Sequence, residues 1–269
     1  MSNVEYDTQE LAEKYDQISD SQYENGLILI DRLGLNEGSA VLDIGCGTGR
    51  LALHTAKIVG AEGKVAGIDP SPLRIEVAGK KVRKKSSGNI SFKVGRAENL
   101  SGFTDSSFDA IYLCAVFHWI ADKKTALKEI HRVLKPGGRV GLTTGDKGNP
   151  FTVRQITDEL FLHSPYAGHV DIEDDTSKPV TKKELQALFK AAGYENINIS
   201  TRINKRYYST PQEVIEFVEA SSFGTFLMHV PEFLRTAARH DIEKEVEKKR
   251  TPNGIEIVSN TLVAMAQKI

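Results

Sequence analysis

The residues best placed to do chemistry form a glycine-rich turn in the first fifth of the chain. The turn consists of Asp43, Gly45, Cys46, Gly47 and Gly49 in the run Asp-Ile-Gly-Cys-Gly-Thr-Gly. Because glycine has no side chain, such a turn can bend sharply and lets a ligand approach main-chain atoms. A helix predicted to begin at Arg50 adds unpaired backbone amides at its N-terminus. The turn therefore predicts a binding site for a small ligand.

A second acidic residue, Asp69, ends the next predicted strand along the chain. A carboxylate in this position can accept hydrogen bonds from both hydroxyls of an adenosine ribose. NAD would use the same two features, but its fingerprint places the third glycine one residue later than Gly49, where this chain has Arg50. The spacing therefore favours a different adenosine-containing ligand.

Alternating strands and helices must position these residues. The hydrophobic pattern predicts strands over residues 41–44, 64–68, 89–94, 108–114 and 139–144. It predicts helices over residues 50–59, from Pro72 onward and over 123–134. This alternation indicates a parallel sheet with right-handed crossovers, in which ligands bind at the carboxyl ends of the strands.

The rest of the chain is predicted to extend a single domain over residues 1–269. Residues 1–35 are predicted to form N-terminal lid helices, and residues 146–180 an insertion, where glycines and prolines interrupt any periodicity. Thr181 and Glu184 form a capping box for a helix to Ala192, and a strand follows over 197–203. A helical lid over 204–254 then separates this strand from a last one over 255–266.

Composition excludes several classes of protein. The chain has 35 Lys and Arg against 36 Asp and Glu, for a net charge of −1, so the electrostatic footprint of a nucleic-acid binder is missing. Its two cysteines lack the spacing of a disulfide framework or a metal site. No signal peptide and no run of roughly 18 apolar residues is seen, so we expect a cytoplasmic protein that does not enter a membrane. The sequence gives no indication of oligomeric state.

Four motifs resemble, in order, those of class I S-adenosylmethionine (SAM)-dependent methyltransferases of the type 11 subgroup. They are Val41 to Gly49, Gly67 to Pro70, Phe108 to Ile111 and Glu129 to Gly138. The resemblance spans residues 36 to 145. It implies an α/β fold with a Rossmann-like seven-stranded sheet, mostly parallel with an antiparallel late strand, plus helical lid insertions. It also implies SAM as the cofactor and no metal.

The resemblance assigns the cofactor-binding residues one by one. Gly45, Cys46, Gly47 and Gly49 would border the methionine part of SAM, with Asp43 orienting its ammonium group, while Asp69 would hold the ribose and Pro70 would line the adenosine. The family usually has a Gly-Asp pair after the third strand, but this chain has Gly95-Arg96. The contact to adenine would then come from Ala97 through its amide, or from Glu98.

His118 is the candidate catalytic residue. It follows the fourth strand at the ligand-binding edge of the sheet, where it could act as a base if the acceptor must lose a proton. Trp119 is predicted to pack against adenosine or the acceptor. Tyr6 and Tyr15 lie in a segment that resembles the lid helix of many type 11 enzymes, so a tyrosine hydroxyl there could orient SAM or the acceptor.

The helical lid is where we expect the acceptor to be chosen. Its candidate wall residues are Phe217, Phe223, Phe226, Met228, His229 and Phe233. The predicted function is methyl transfer to a small-molecule acceptor, whose reacting atom stays open among carbon, nitrogen, oxygen and sulfur. The alternatives are a SAM-binding protein without turnover and a nucleic-acid methyltransferase.

Overall fold

The computed structural model describes residues 3–85, 88–171 and 177–269, and its centre is one mixed sheet. The strands are β1 (Ala40–Ile44), β2 (Lys64–Asp69), β3 (Ile90–Val94), β4 (Phe108–Cys114), β5 (Leu134–Gly145), β6 (Tyr194–Tyr208), β7 (Arg250–Thr251) and β8 (Gly254–Lys268). Their order is β3-β2-β1-β4-β5-β8-β6, and β7 pairs with β8 outside this path. The strands β1 to β5 pair with one another in parallel, whereas β8 is antiparallel to both β5 and β6.

The predicted Rossmann-like α/β fold is confirmed, with one difference in strand number. The described part of the chain has eight strands instead of seven, because the two residues of β7 form a tight hairpin with the start of β8. Thr251 closes this hairpin by donating from its hydroxyl to the carbonyl of Gly254 over 2.9 Å. The late strand is antiparallel, as the resemblance implies.

Helices cover both faces of the sheet. They are α1 (Gln9–Ile18), α2 (Asp20–Leu33), α3 (Arg50–Val59), α4 (Pro72–Lys85), α5 (Lys123–Val133), α6 (Thr152–Phe161), α7 (Lys182–Ala191), α8 (Pro211–Ser221) and α9 (Glu232–Glu247). The helices α2 and α3 pack on one face and α5 and α7 on the other, because alternate residues of each strand point to opposite faces. The predicted capping box of Thr181 and Glu184 begins α7.

A third core lies beyond the carboxyl edge of the sheet, where α6, α8 and α9 pack on the ends of β6 and β8. Residues 204–208, which the sequence places in the helical lid, continue β6 because they pair with residues 255–259 of β8. The predicted insertion over 146–180 contains α6, whose apolar positions Val153, Ile156 and Phe161 follow helical spacing. Residues 172–176 of that insertion lie outside the described residues.

Candidate functional site

The glycine turn joins β1 to α3 in left-handed backbone. Gly45, Gly47 and Gly49 have φ values of +72°, +52° and +79°, which side chains on an L-residue disfavour. The amides of Gly45 and Cys46 both donate to the carbonyl of Ile68, at 2.7 and 2.9 Å, so the turn is held against the end of β2. Gly49 is the N-cap of α3, which places the N-terminus of this helix at the turn.

The three glycines have different steric reasons to be glycine. A Cβ on Gly45 would lie 2.2 Å from Val116 Cγ2, and one on Gly49 would lie 2.7 Å from Phe92 Cζ, so protein packing excludes side chains there. A Cβ on Gly47 would meet Tyr15 Cε1 at 3.5 Å, which is an ordinary contact. Packing therefore does not require a glycine at position 47 beyond its backbone conformation, and this is the glycine that leaves room for a ligand.

Asp43 lies beneath the turn as a buried carboxyl group. It is 1% exposed, and Tyr112 donates its hydroxyl to Asp43 Oδ2 over 2.9 Å. Burial raises the pKa of Asp43 to about 8. No salt bridge to Asp43 is seen among the described residues, so the site lacks the cation that would stabilise its charged form.

A small cavity of about 40 Å³ opens between Asp43 and the turn. It is lined by Asp43, Gly45, Cys46, Gly47, Thr48 and Cys114, and closed from above by Tyr15, Gln22 and Arg50 among others. This cavity suits a small, positively charged group, because the buried carboxyl group of Asp43 and the backbone of the glycines line it. Burial keeps the thiols of Cys46 and Cys114 protonated by raising the pKa of each, that of Cys114 to about 12, so neither is a nucleophile at neutral pH.

Asp69 fixes the turn to the neighbouring strand. Gly47 N–H donates to Asp69 Oδ2 and Ser71 N–H donates to Oδ1, each over 2.9 Å. The side chain is 3% exposed, and burial raises its pKa. A carboxylate can accept about four hydrogen bonds, so these two amides leave part of its capacity unused, but Asp69 lines neither of the two cavities described in this section.

A buried arginine, Arg74, contacts both the N-terminal segment and the helical lid. The guanidinium of Arg74 lies between two rings, with Cζ 4.4 Å from the centroid of Tyr15 and 4.0 Å from that of Phe223. Its Nε donates to Asp7 Oδ2 over 2.9 Å, and an Nη donates to the carbonyl of Ala220 over 2.9 Å. Sequence patterns single out neither Arg74 nor Asp7, because the two are 67 residues apart and follow no motif.

A larger cavity of about 290 Å³ lies beside the first, at the carboxyl edge of the sheet. His118 and Trp119 line it from the 3-10 helix Phe117–Trp119, and His118 Nδ1 lies 3.3 Å from Thr144 Oγ1. The helices α2, α6 and α8 and the ends of β6 and β8 close its other sides. Most of the surface of its walls is apolar and includes aromatic rings, as in cavities that bind small organic molecules, but many of the lining residues have polar or charged side chains.

The structure brings some of the sequence-predicted residues together and separates others. Tyr15 lines both cavities, whereas Tyr6 is 44% exposed and lines neither. Pro70, Ala97 and Glu98 also line neither of these two cavities, and Ala97 is buried in the core. The adenine contact therefore stays a prediction.

Of the six residues predicted to form the acceptor wall, some line the larger cavity and others do not. Phe217, Phe226 and His229 line the larger cavity, but Phe223 stacks on Arg74 instead. Met228 does not line it, and Phe233 is 74% exposed. Helical spacing alone does not distinguish these positions, because their environment depends on how α8 and α9 pack on β6 and β8.

Two features of the described residues bear on other ligand classes. Across residues 3–85, 88–171 and 177–269, no group of three or more His, Cys, Asp or Glu side chains converges as metal ligands. In the same residues no helix combines the length and apolar character needed to span a bilayer.

Comparisons with known proteins give one consistent result. A family model described as a methyltransferase domain matches residues 35–193. The demethylmenaquinone methyltransferase of Staphylococcus aureus (strain JH9) is 31% identical over 207 residues, which cover 71% of this chain and 84% of that protein. The ubiquinone/menaquinone biosynthesis C-methyltransferase UbiE of Idiomarina loihiensis is 34% identical over 180 residues, or 63% of this chain and 71% of that protein.

Solved structures are similar at the level of the fold. The YcgJ protein from Bacillus subtilis superimposes with a TM-score of 0.65 at 20% identity, covering 91% of this chain and 98% of that one.

Proposed function

The chain belongs to the methyltransferase-domain family of SAM-dependent enzymes, and from this premise we propose that it transfers the methyl group of SAM to a small-molecule acceptor in the larger cavity. The observation that carries the proposal is that the two cavities adjoin. Tyr15 and Gln22 line both of them, so a group bound at the glycine turn and one bound beside His118 would be neighbours across this shared boundary.

The residues around the small cavity fit SAM. The carboxyl group of Asp43 would pair with the ammonium of the methionine part, which supplies the cation that this buried group lacks. Gly47 leaves room for the chain of the methionine, and the unused hydrogen-bonding capacity of Asp69 would serve the ribose hydroxyls. Pro70, Ala97 and Glu98 are the proposed contacts to the adenosine part. When bound, SAM supplies an electrophilic methyl group on a sulfonium sulfur.

The protein's contribution to the reaction is mainly to hold the acceptor in line and to exclude water. Positioning of this kind can account for much of the rate of a bimolecular reaction. The mostly apolar walls of the larger cavity would keep water from the methyl group, and Tyr15 lines the boundary where the two ligands would meet. The phenol of Tyr15 stays protonated, because burial raises its pKa to about 12.

The N-terminal segment and the helical region between the last two long strands serve as lids in this proposal. The buried pair of Asp7 and Arg74 joins the segment before α1 to α4, and Arg74 also contacts the end of α8. Entry of SAM then requires these elements to separate, and their return would close the site around both ligands.

The proposal differs from a nucleic-acid methyltransferase in where the acceptor binds. The larger cavity, of about 290 Å³, lies between α2, α6 and α8 and suits a molecule of limited size, whereas a base in a nucleic-acid strand needs a broad, basic approach. The relatives are named as methyltransferases of demethylmenaquinone and of ubiquinone/menaquinone biosynthesis, and this supports a small-molecule acceptor here.

The function is tested by replacing Gly47 with Ala. This substitution places a methyl group in the small cavity without a clash, so we expect the fold to persist and SAM affinity to fall roughly 30-fold, or about 2 kcal/mol. Affinity is measured by calorimetry, and turnover by the release of S-adenosylhomocysteine in the presence of a metabolite extract.

Gly38→Ala is the matched control for this test. Gly38 has a φ of +82° and no atom within 4 Å of an added Cβ, so both variants carry the same backbone strain of about 1–2 kcal/mol. It precedes β1, at the opposite edge of the sheet from the site. Equal SAM affinities of the two variants would contradict the cofactor site, and SAM binding without any turnover would favour the non-catalytic alternative.

His118 is proposed as the base for an acceptor that must lose a proton. We expect His118→Asn to lower kcat by roughly 10²–10⁴ while SAM affinity is unchanged, because the residue lines only the larger cavity. Added imidazole should restore part of the rate if the role is proton transfer. His163→Asn, at an exposed position on the far end of α6, is the control and should keep full activity. An unchanged kcat in His118→Asn would rule out the role.

A further inference from the structure

Two long strands form an arm that extends past the rest of the sheet. β5 pairs with β8 only as far as Thr261, so residues 256–260 of β8 pair with β6 alone. In an antiparallel pair, residues opposite each other point to the same side. Arg206 pairs with Ile257 and Tyr208 with Ile255, and Arg206, Tyr208 and Ile257 all line the larger cavity. One face of the arm is therefore a wall of that cavity.

This wall leaves hydrogen-bonding groups without partners. Tyr208 is 9% exposed, and its hydroxyl is buried with no hydrogen bond. Asn25 of α2 lines the same cavity, and its side-chain oxygen is also buried without a partner. Native proteins pair nearly all buried polar groups, so two unpaired groups in one cavity indicate a ligand that pairs with them.

Arg206 adds a positive charge beside these groups. It donates to Ser21 Oγ over 3.0 Å, and Ser21 lies one helical turn before Asn25 on α2. Its Cζ lies 5.2 Å from the ring centroid of Tyr208 and 4.6 Å from that of Phe217. Among the described residues no carboxylate forms a salt bridge with Arg206.

The acidic groups of the cavity are engaged elsewhere. Asp158 pairs with Arg154 over 2.6 Å. Asp146 accepts from the amide of Gly148 over 2.9 Å and from the side chain of Asn149 over 3.1 Å. The end of the cavity formed by Asn25, Arg206 and Tyr208, here called the polar end, carries the charge of Arg206 without a salt bridge among the described residues; the nearby Glu213 acts electrostatically on Tyr208 but accepts from the amide of Ser209 and does not line the cavity.

We propose that the polar end binds the carboxylate of an aromatic acceptor, with Arg206 and the Tyr208 hydroxyl donating to it and Asn25 pairing with a second polar group. Arginine matches a carboxylate with two parallel hydrogen bonds. The acceptor ring lies among the aromatic walls contributed by Phe151, Phe217 and Phe226. This inference rests on the proposed function for its acceptor cavity, and it makes the acceptor an acid instead of a neutral ring.

The test measures binding of three probes to the enzyme saturated with S-adenosylhomocysteine. The probes are 2-naphthoate, its methyl ester and 2-naphthol, which share one ring system. Calorimetry should give at least tenfold tighter binding for 2-naphthoate than for the other two. Arg206→Met should remove this preference, and Tyr208→Phe should weaken 2-naphthoate about tenfold and leave the ester unchanged.

Tyr208→Phe is also expected to fold, so weaker binding in this variant cannot be attributed to unfolding. Because the hydroxyl is buried without a partner, its removal should raise Tm by about 2 °C in the absence of ligands. The matched controls are Tyr207→Phe and Lys205→Met, which lie on the opposite, exposed face of the same strand and contact Glu256. Both should bind 2-naphthoate like the unmodified enzyme.

The outcomes separate this inference from the proposed function. Failure of the unmodified enzyme to bind SAM or S-adenosylhomocysteine would overturn the proposed function itself. If the cofactor binds, but 2-naphthoate does not bind or binds no better than the ester and 2-naphthol, the carboxylate site is overturned. It is also overturned if Arg206→Met and Tyr208→Phe retain the full preference for 2-naphthoate.

Discussion

Asp43→Asn is expected to weaken SAM binding roughly 100-fold and at the same time to raise the melting temperature of the ligand-free protein. A hydrogen-bonded pair between buried charged groups is worth about 1.5–3 kcal/mol, and Asn cannot supply the negative charge. Without ligand, however, the Asp43 carboxyl group is buried with only the Tyr112 hydroxyl as a side-chain partner, and its ionisation is unfavourable. Calorimetry with SAM and thermal unfolding of both proteins measure the two effects.

The dependence on pH gives this prediction a second readout. Burial raises the pKa of Asp43 to about 8, so in the ligand-free protein the group is mostly protonated at pH 7. Binding of an ammonium group favours the charged form, so SAM binding releases a proton. Between pH 6 and 7.5 we expect SAM affinity to rise with pH, by up to about tenfold per unit, and the slope to disappear in Asp43→Asn.

The stability of the ligand-free protein should depend on pH in the opposite direction. The folded-state pKa of Asp43 lies above its unfolded value of 3.8. The contribution of this group to stability is therefore fully present below the unfolded pKa and is lost as pH rises through about 8. The difference in Tm between Asp43→Asn and the unmodified protein should widen from pH 6 to pH 9.

Asp109→Asn provides the control with the same chemical change. Asp109 lies on β4, accepts from the amide of Ala40 and forms a partly exposed salt bridge with Lys135. Desolvation by itself would raise the pKa of Asp109. The salt bridge with Lys135 and the hydrogen bond from Ala40 outweigh this effect and hold the pKa below its usual range. This variant should lose stability slightly and bind SAM normally. A lower Tm or unchanged SAM affinity in Asp43→Asn would refute the role assigned to Asp43.

Arg74→Met is expected to lower the free energy of unfolding by about 3–5 kcal/mol. The salt bridge between Arg74 and Asp7 is buried, with side-chain exposures of 3% and 0%. Removing one partner leaves an uncompensated charge away from water, and that costs more than the pair itself contributes. Arg74 also stacks between Tyr15 and Phe223, so its loss loosens three segments at once. Urea unfolding followed by circular dichroism measures the change.

The double variant Asp7→Leu with Arg74→Met separates the charge from the packing. With both charges replaced by apolar groups, stability should recover much of the loss, although the hydroxyl of Ser71 loses its acceptor on Asp7. The exposed pair of Glu76 and Lys80 on the same helix is the control, and its removal should change stability far less, because solvent screens the pair. Equal losses for the buried and exposed pairs would contradict the proposed role of Arg74 in holding the lids.

Much of the fold follows from short stretches of sequence. The helix over 50–59 and the strand over 108–114 have the predicted bounds, because apolar periodicity and turn chemistry act within a few residues. The helix α6 is the main omission, since prolines and glycines around it hide a pattern that is itself regular. The length of β6 could not be read from its own residues, because its second half is polar and depends on pairing with β8.

The functional site likewise has features that follow from local sequence and features that depend on tertiary packing. Sequence by itself determined the glycine turn, Asp43 and Asp69, because their spacing after two adjacent strands is local and fixes the chemistry at the strand ends. Only the tertiary structure decided that a Cβ at Gly45 or Gly49 would meet protein atoms whereas one at Gly47 would not clash, and that Asp43 has no buried cation beside it among the described residues. It also decided the pairing of Asp7 with Arg74 and the position of Arg206 and Tyr208 at the acceptor cavity. These contacts join residues that are far apart in the chain. They depend on how whole helices and strands pack, so no local pattern of residues predicts them.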